Sequence, residues 1–133
     1  MVRVLTVCGS LQRGSANRAA LDVVIAALRS RGADVDDFDG LAALPPMDVD
    51  RADDPDPVVA DWRARAAAAD VAVIAAPEYA GGVAGTVKNA LDWLVGAGSL
   101  YCTPVGVISA GTSGGAQARS DLVRTLSWQG ALV

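Results

Sequence analysis

Four side chains near the N-terminus are suited to holding an anion: Ser10, Arg13, Ser15 and Asn17, set among Gly9 and Gly14. Hydroxyls and an amide donate hydrogen bonds, and a guanidinium carries a fixed positive charge. The two glycines let the backbone bend close to a ligand. The stretch runs Cys8-Gly9-Ser10-Leu11-Gln12-Arg13-Gly14-Ser15-Ala16-Asn17, and the chemistry it favours is the grip of one phosphate group. A Walker A loop needs lysine after its second glycine, where Ser15 stands. The spacing of Gly9 and Gly14 does not fit G-x-G-x-x-G, so a dinucleotide fingerprint is excluded as well. A serine ahead of a helix is also an ordinary N-cap, and at this point both readings of Ser15 stand.

Such a loop needs a strand before it and a helix after it. Val4 to Val7 reads as a buried strand, and Leu21, Val24, Ile25 and Leu28 mark one face of a helix from about Ala16 to Arg31. The first N–H groups of that helix have no internal partner, and its dipole favours negative charge there. Arg29 and Arg31 suit its other end, and Gly32 suits its C-cap. The segment from Ala33 to Phe38 has only Val35 and Phe38 as large apolar residues and reads as an edge strand. Gly40 to Asp56 is a long connection with Pro45-Pro46 and the carboxylates Asp48, Asp50, Asp53, Asp54 and Asp56. It lacks the glycine turn and spaced ligands of a hard-cation loop and reads as a solvated acidic loop.

Asp56 and Pro57 predict a helix start, with Asp56 as the cap and Val59, Trp62 and Ala66 facing inward. Val71 to Ala76 is continuously apolar, as in a central parallel strand. Pro77-Glu78-Tyr79-Ala80-Gly81-Gly82 ends it. A helix from about Gly85 to Gly96 follows, with Val87, Ala90, Leu91 and Leu94 on its buried stripe. Trp93 falls off that stripe and reads as either exposed or in a contact between subunits, with the contact favoured. Lys88 and Asp92, four apart, read as a surface pair. Pro104 to Ser109 is a fourth strand, Ala110 to Gly115 a loop, and Leu122, Val123 and Leu126 belong to a last helix ending near Gly130. Ala131 to Val133 reads as the start of another strand.

A strand–helix unit repeated four times predicts a parallel sheet with right-handed crossovers. Ligands in such sheets bind beyond the carboxyl ends of the strands. The loops 9–17, 77–84 and 110–115 share that edge, and none carries charges suited to general acid–base catalysis. The length of 133 residues fits one domain. A net charge of -4 gives no face for nucleic acid or an anionic membrane. With no histidine, a Ser-His-Asp triad, a Cys-His dyad and a histidine metal site are impossible. The two cysteines, Cys8 and Cys102, lack C-x-x-C spacing, so no metal site is expected. Cys8 reads as core. Neither a signal peptide nor a transmembrane run is evident, and a soluble cytoplasmic protein is expected.

With the three loops in view, the chain resembles the NADPH-dependent FMN reductase family, a flavodoxin-like group that includes quinone, chromate and azo reductases. Gly9-Ser10-Leu11-Gln12-Arg13-Gly14-Ser15-Ala16-Asn17 resembles that family's G-S-L-R-x-G-S-x-N loop. The stretch from Pro77 through Glu78, Tyr79 and Gly85 to Lys88-Asn89-Ala90-Leu91-Asp92-Trp93 is similar to its P-E-Y-N-x-x-x-P-G-x-L-K-N-A-x-D-W, the more specific of the two. The 109–115 loop is a weaker third carrier. The resemblance implies that the first loop, with Ser10, Gln12, Arg13, Ser15, Ala16 and Asn17, holds the FMN phosphate. It places Pro77, Glu78, Tyr79, Ala80, Gly81 and Gly82 along the flavin ring, and Ser109 and Gly111 at the ring's other end.

It also implies hydride transfer from NADPH or NADH through FMN to a small-molecule acceptor, with no catalytic side chain, in a homodimer or homotetramer. Gln12 stands where the family usually has arginine, Ala80 where it has asparagine, Ala84 where it has proline, and Gln117 where many members have arginine. Family members continue through a fifth strand and helix. The expected fold is therefore an α/β, flavodoxin-like, three-layer doubly wound sheet of order 2-1-3-4-(5). Residues 1–133 would form one FMN-binding domain whose fifth β-α unit is truncated, leaving strand four an open edge and apolar area exposed. Two other functions remain open on sequence: a flavodoxin-type electron carrier, and a truncated fragment that binds nothing.

Overall fold

A computed structural model describes all of residues 1–133. Strand β1 (Arg3–Cys8) leads into helix α1 (Ala16–Ser30), then β2 (Asp34–Phe38), α2 (Pro57–Ala68) and β3 (Val71–Ala75). A short hairpin follows, β4 (Glu78–Tyr79) and β5 (Gly82–Val83), then α3 (Gly85–Asp92), β6 (Val105–Ile108) and α4 (Ala116–Trp128). The main sheet has the order β2-β1-β3-β6 and is parallel throughout. That is the expected 2-1-3-4 order, with β6 as the fourth strand. Leu132 begins the fifth position: it makes a parallel bridge with Pro104, and Val105 N–H donates to Leu132 O at 2.9 Å.

Alternation along the strands sorts the core onto two faces. On one, Leu21 and Ile25 of α1 pack on Ala75, with Cys8, Val35, Val73 and Ile108 beside them. On the other, Leu5, Val7, Ile74 and Val105 meet Trp62 of α2, Leu91 of α3, and Leu122 and Leu126 of α4. One helix covers the first face and three cover the second, which leaves Val73 and Ile108 half-buried and Gly106 exposed. Trp62 anchors the larger core, with its indole N–H on Ala90 O at 2.8 Å. Cutting it to alanine would cost about 3–5 kcal/mol.

Two expectations need correction. Trp93 is 1% exposed, with its indole N–H on Pro45 O at 2.8 Å. Trp93 keeps helical dihedrals, with its N–H on Asn89 O at 3.2 Å, and the segment around Pro45 and Met47, bonded to Asn89 and Trp93, covers that side of α3. Asp56 makes no capping hydrogen bond; its carboxylate pairs with Arg51 at 2.6 Å. Leu122, Val123 and Leu126 all lie on α4, with Val123 on its exposed side. Lys88 and Asp92 do pair on the surface, at 2.6 Å. No helix is long and apolar enough to cross a membrane.

Candidate functional site

The carboxyl ends of β1, β3 and β6 lie side by side, because the ladder continues past the strands: Gly9 N–H donates to Ala75 O at 2.6 Å and Ala76 N–H to Ile108 O at 2.9 Å. Gly9 has to be glycine, since a Cβ there would run into the Val87 side chain. The loop is thereby seated against α3, where Thr86 Oγ1 donates to Gly9 O at 3.1 Å.

At the start of α1 the ordinary cap is present: Ser15 Oγ accepts from Arg18 N–H at 3.0 Å. The N–H groups of Ala16 and Asn17 find no acceptor in the protein. Ser10 Oγ accepts from Gln12 N–H at 3.3 Å, which leaves its own proton available. Asn17 departs from expectation. Its side chain pairs with Ala110, donating from Nδ2 to Ala110 O and accepting from Ala110 N–H, each at 2.8 Å. It ties the first loop to the third, and one of the two Nδ2 hydrogens has no acceptor in the protein. Arg13 is exposed, in no ion pair and outside the cavity wall. Arg18 pairs with Asp22 and Asp37. Burial works against its charge, but the hydrogen bond to Asp22 and the field of Asp37 outweigh it, so its pKa is raised.

The second loop folds back as the β4–β5 hairpin. Ala80 and Gly81 form its turn with φ of 52° and 74°, the signs of a type I′ turn. Glu78 does more than lend its backbone. Its Oε1 accepts from Gln117 N–H at 2.8 Å and Ala118 N–H at 2.9 Å, and Oε2 accepts from Ser113 Oγ at 3.2 Å. A carboxylate from the second loop therefore caps α4. On the same hairpin, Val83 N–H donates to Asp121 Oδ2 at 3.0 Å. Tyr79 is 60% exposed at the rim.

These loops enclose a cavity of about 310 Å³, at the small end of ligand sites. Ser10, Gln12, Ser15, Ala16 and Asn17 line it from the first loop, Pro77, Glu78 and Tyr79 from the second, and Ser109 and Gly111 from the third. Arg13, Ala80, Gly81 and Gly82 do not; the last three are carried outward by the hairpin. Ala110, Thr112, Ser113 and Gly115 also line the wall, and sequence reasoning, which marks their loop, misses them individually. Gly115 is fixed by two demands: a φ of 68°, and a Cβ position already filled by the Ser109 side chain. The wall is built of hydroxyls and amides. Its one carboxylate, Glu78, accepts hydrogen bonds from the first turn of α4.

This geometry can be set beside known proteins. Residues 2–133 match the NADPH-dependent FMN reductase family. The chain belongs to that family. A probable NADPH:quinone oxidoreductase of Oryza sativa subsp. japonica is 40% identical over 97 residues, spanning 69% of this chain and 47% of that protein. An NAD(P)H-dependent FMN reductase of Pseudomonas aeruginosa is 38% identical over 93 residues, spanning 69% of this chain and 49% of that protein. The chain thus spans about half the length of these curated relatives. Among solved structures, FerB, a flavoenzyme NAD(P)H:(acceptor) oxidoreductase from Paracoccus denitrificans, superposes with a TM-score of 0.90 at 26% identity, covering 99% of this chain and 74% of that one. An azoreductase from Bacillus anthracis shares the fold with a TM-score of 0.76 at 16% identity, covering 98% of this chain and 83% of that one. As a member of the FMN reductase family, the chain has the flavodoxin-like sheet, and its cavity lies at the ends of the paired strands β1 and β3, where the chain leaving β1 runs toward β2 and the chain leaving β3 runs the other way, toward β6.

Proposed function

We propose that residues 1–133 form one FMN-binding unit of an NAD(P)H-dependent oxidoreductase whose final acceptor is a quinone-like or other small oxidant. The observation that carries this reading is the open start of α1, where the Ala16 and Asn17 N–H groups and the Ser10 and Ser15 hydroxyls border one cavity. That donor set fits a phosphate monoester: amides and hydroxyls at the positive end of a helix, with no unspent carboxylate beside them. Each hydrogen bond to such a charged group contributes about 1.5–3 kcal/mol.

Bound FMN would supply the hydride-transfer chemistry. The protein's part is to bind and orient. Ser10, Gln12, Ser15, Ala16 and the Asn17 backbone hold the phosphate, and Arg13 adds positive field from outside the wall. Pro77, Tyr79, Ser109 and Gly111 flank the ring, with the Glu78 backbone between them. Ala80, Gly81 and Gly82 shape the entrance from the hairpin. The N–H groups of Gly111, Thr112 and Ser113 have no acceptor in the protein and are available to negative charge developing in the cavity. No side chain is required to move a proton, in keeping with a chain that has no histidine.

The test is a titration of the purified chain with FMN, followed by NADPH or NADH under anaerobic conditions. Saturable binding and bleaching of the flavin band are the expected results. FMN at 100 times its Kd should add about 2.7 kcal/mol to stability in a thermal melt. Binding without bleaching would point to an electron carrier, and no melt shift would point to a fold that does not bind flavin.

The proposal extends to a homodimer or homotetramer. Its support is the exposure of Val95, Tyr101, Trp128 and Leu132, with the Lys88–Asp92 and Arg124–Asp121 pairs offering both signs of charge nearby. Sedimentation of wild type against Trp128→Glu tests it, with a smaller species expected for the variant. A cytoplasmic location is proposed on the two unpaired cysteines, Cys8 and Cys102.

A further inference from the structure

The wall formed by residues 111–115 has little backbone hydrogen bonding of its own. Three of its five residues are glycines: Gly111, Gly114 and Gly115. Its one internal backbone bond runs from Gly114 N–H to Gly111 O, at 3.2 Å. So short and glycine-rich a segment has many alternative conformations of similar energy. It is held from outside at its two ends. Asn17 fixes Ala110 at the near end, and Glu78 fixes Ser113, Gln117 and Ala118 at the far end. The second loop's other tie to α4, Val83 N–H on Asp121 Oδ2, lies a turn further along the helix, so Glu78 is its one hydrogen-bond link to residues 113–118.

We propose that Glu78 is a positioning residue for the flavin site: its side chain sets the 111–118 segment against the hairpin and so fixes the shape of the cavity. The proposal rests on reading that cavity as the FMN site. The division of labour within the carboxylate is specific. One oxygen, Oε1, takes both helix N–H groups, and the other takes the Ser113 hydroxyl. A glutamine in the same rotamer keeps its oxygen on both N–H groups and turns its –NH2 to Ser113 Oγ, which has lone pairs to accept. The clasp depends on the arrangement of atoms more than on the charge. Glutamine therefore preserves it and alanine abolishes it.

The experiment joins two measurements on the whole chain: amide hydrogen exchange without flavin, and FMN affinity by fluorescence titration. In Glu78→Ala, exchange at the Gly114, Gln117 and Ala118 amides should quicken at least tenfold, while β1 and β3 amides stay as in wild type. FMN Kd should rise at least tenfold. Glu78→Gln should stay within about threefold of wild type on both readouts, a rescue that loss of folding would not show. Ser113→Ala, which removes only the Oε2 contact, should shift Kd about twofold to threefold, and it keeps the clasp testable if Glu78→Ala does not fold.

The proposal is overturned if Glu78→Ala exchanges as slowly as wild type, or if exchange quickens and Kd does not move. It is also overturned if Glu78→Gln is as impaired as Glu78→Ala, because charge would then be the operative property. Failure of wild type to bind FMN would instead sink the reading of the cavity, and the positioning role with it.

Discussion

Helices α1 and α4 begin in much the same way and end up with different capacities. Each follows a parallel strand, and each is entered through a loop rich in glycine and hydroxyls, residues 9–15 and 109–115. Each presents a first turn whose N–H groups have no partner within the helix. At α4 these groups are met by a carboxylate from elsewhere in the chain, Glu78. At α1 the Ser15 hydroxyl takes only the Arg18 N–H, and the Ala16 and Asn17 N–H groups remain available. The positive end of α4 is spent on holding the structure together, and that of α1 is left for a ligand. A helix start becomes an anion site through what the rest of the fold leaves unfilled.

The sharpest way to break this contrast is to make α1 resemble α4. Ala16→Asp places a carboxylate in the first turn of α1, on the wall of the cavity. Two unit charges about 4 Å apart at an effective dielectric near 20 repel by about 4 kcal/mol. FMN Kd is therefore predicted to rise at least 100-fold, about 2.7 kcal/mol. An acid in the first turn suits the helix dipole, so the apoprotein should melt within about 0.5 kcal/mol of wild type. A fluorescence titration beside a thermal melt checks both halves. Unchanged affinity would mean that the phosphate lies elsewhere.

Nothing local in the sequence separates the two helix starts. Strand order, the buried stripe of Val87, Ala90 and Leu91, and the three loops at one sheet edge are legible because they follow from periodicity and from the rules of parallel sheets. The hydroxyl of Ser15 is legible as a cap for the same reason. The tasks of Glu78 and Asn17 are not. Each bonds a residue far along the chain: Glu78 reaches Gln117, 39 positions on, and Asn17 reaches Ala110, 93 positions on. Their motifs mark both as residues near a flavin, and the side chains of both fasten one loop to another. Trp93 escapes sequence reasoning for the same reason, because what buries it is the Pro45 segment, 48 positions back along the chain.

Asn17 links the two helix starts directly. It lies on the first turn of α1, it is 4% exposed, and its amide closes a reciprocal pair with the residue that opens the loop to α4. Asn17→Ala leaves the Ala110 N–H and C=O without their partner. The predicted cost is about 2 kcal/mol, or about 8 °C in Tm for a domain of this size. FMN binding should weaken about tenfold in the same variant, since both walls of the cavity lose a common anchor. Calorimetry and titration of one preparation check the pair of outcomes. A stability loss without any loss of affinity would show that the two helix starts are independent.

The smallest effect is expected where the hairpin bearing Glu78 is under strain. Ala80 has a φ of 52°, a conformation that its Cβ makes costly. Asparagine tolerates that region better, and Asn-Gly is the favoured pair for such a turn. Ala80→Asn, which sets an asparagine directly before Gly81, should raise stability by about 0.5–1 kcal/mol. The Ala80 side chain is exposed and outside the cavity wall. If the hairpin serves to present Glu78 to α4, a better turn should also slow amide exchange at Gln117 and Ala118, on another element altogether. Exchange that slows only within residues 78–83 would separate the turn from the cap.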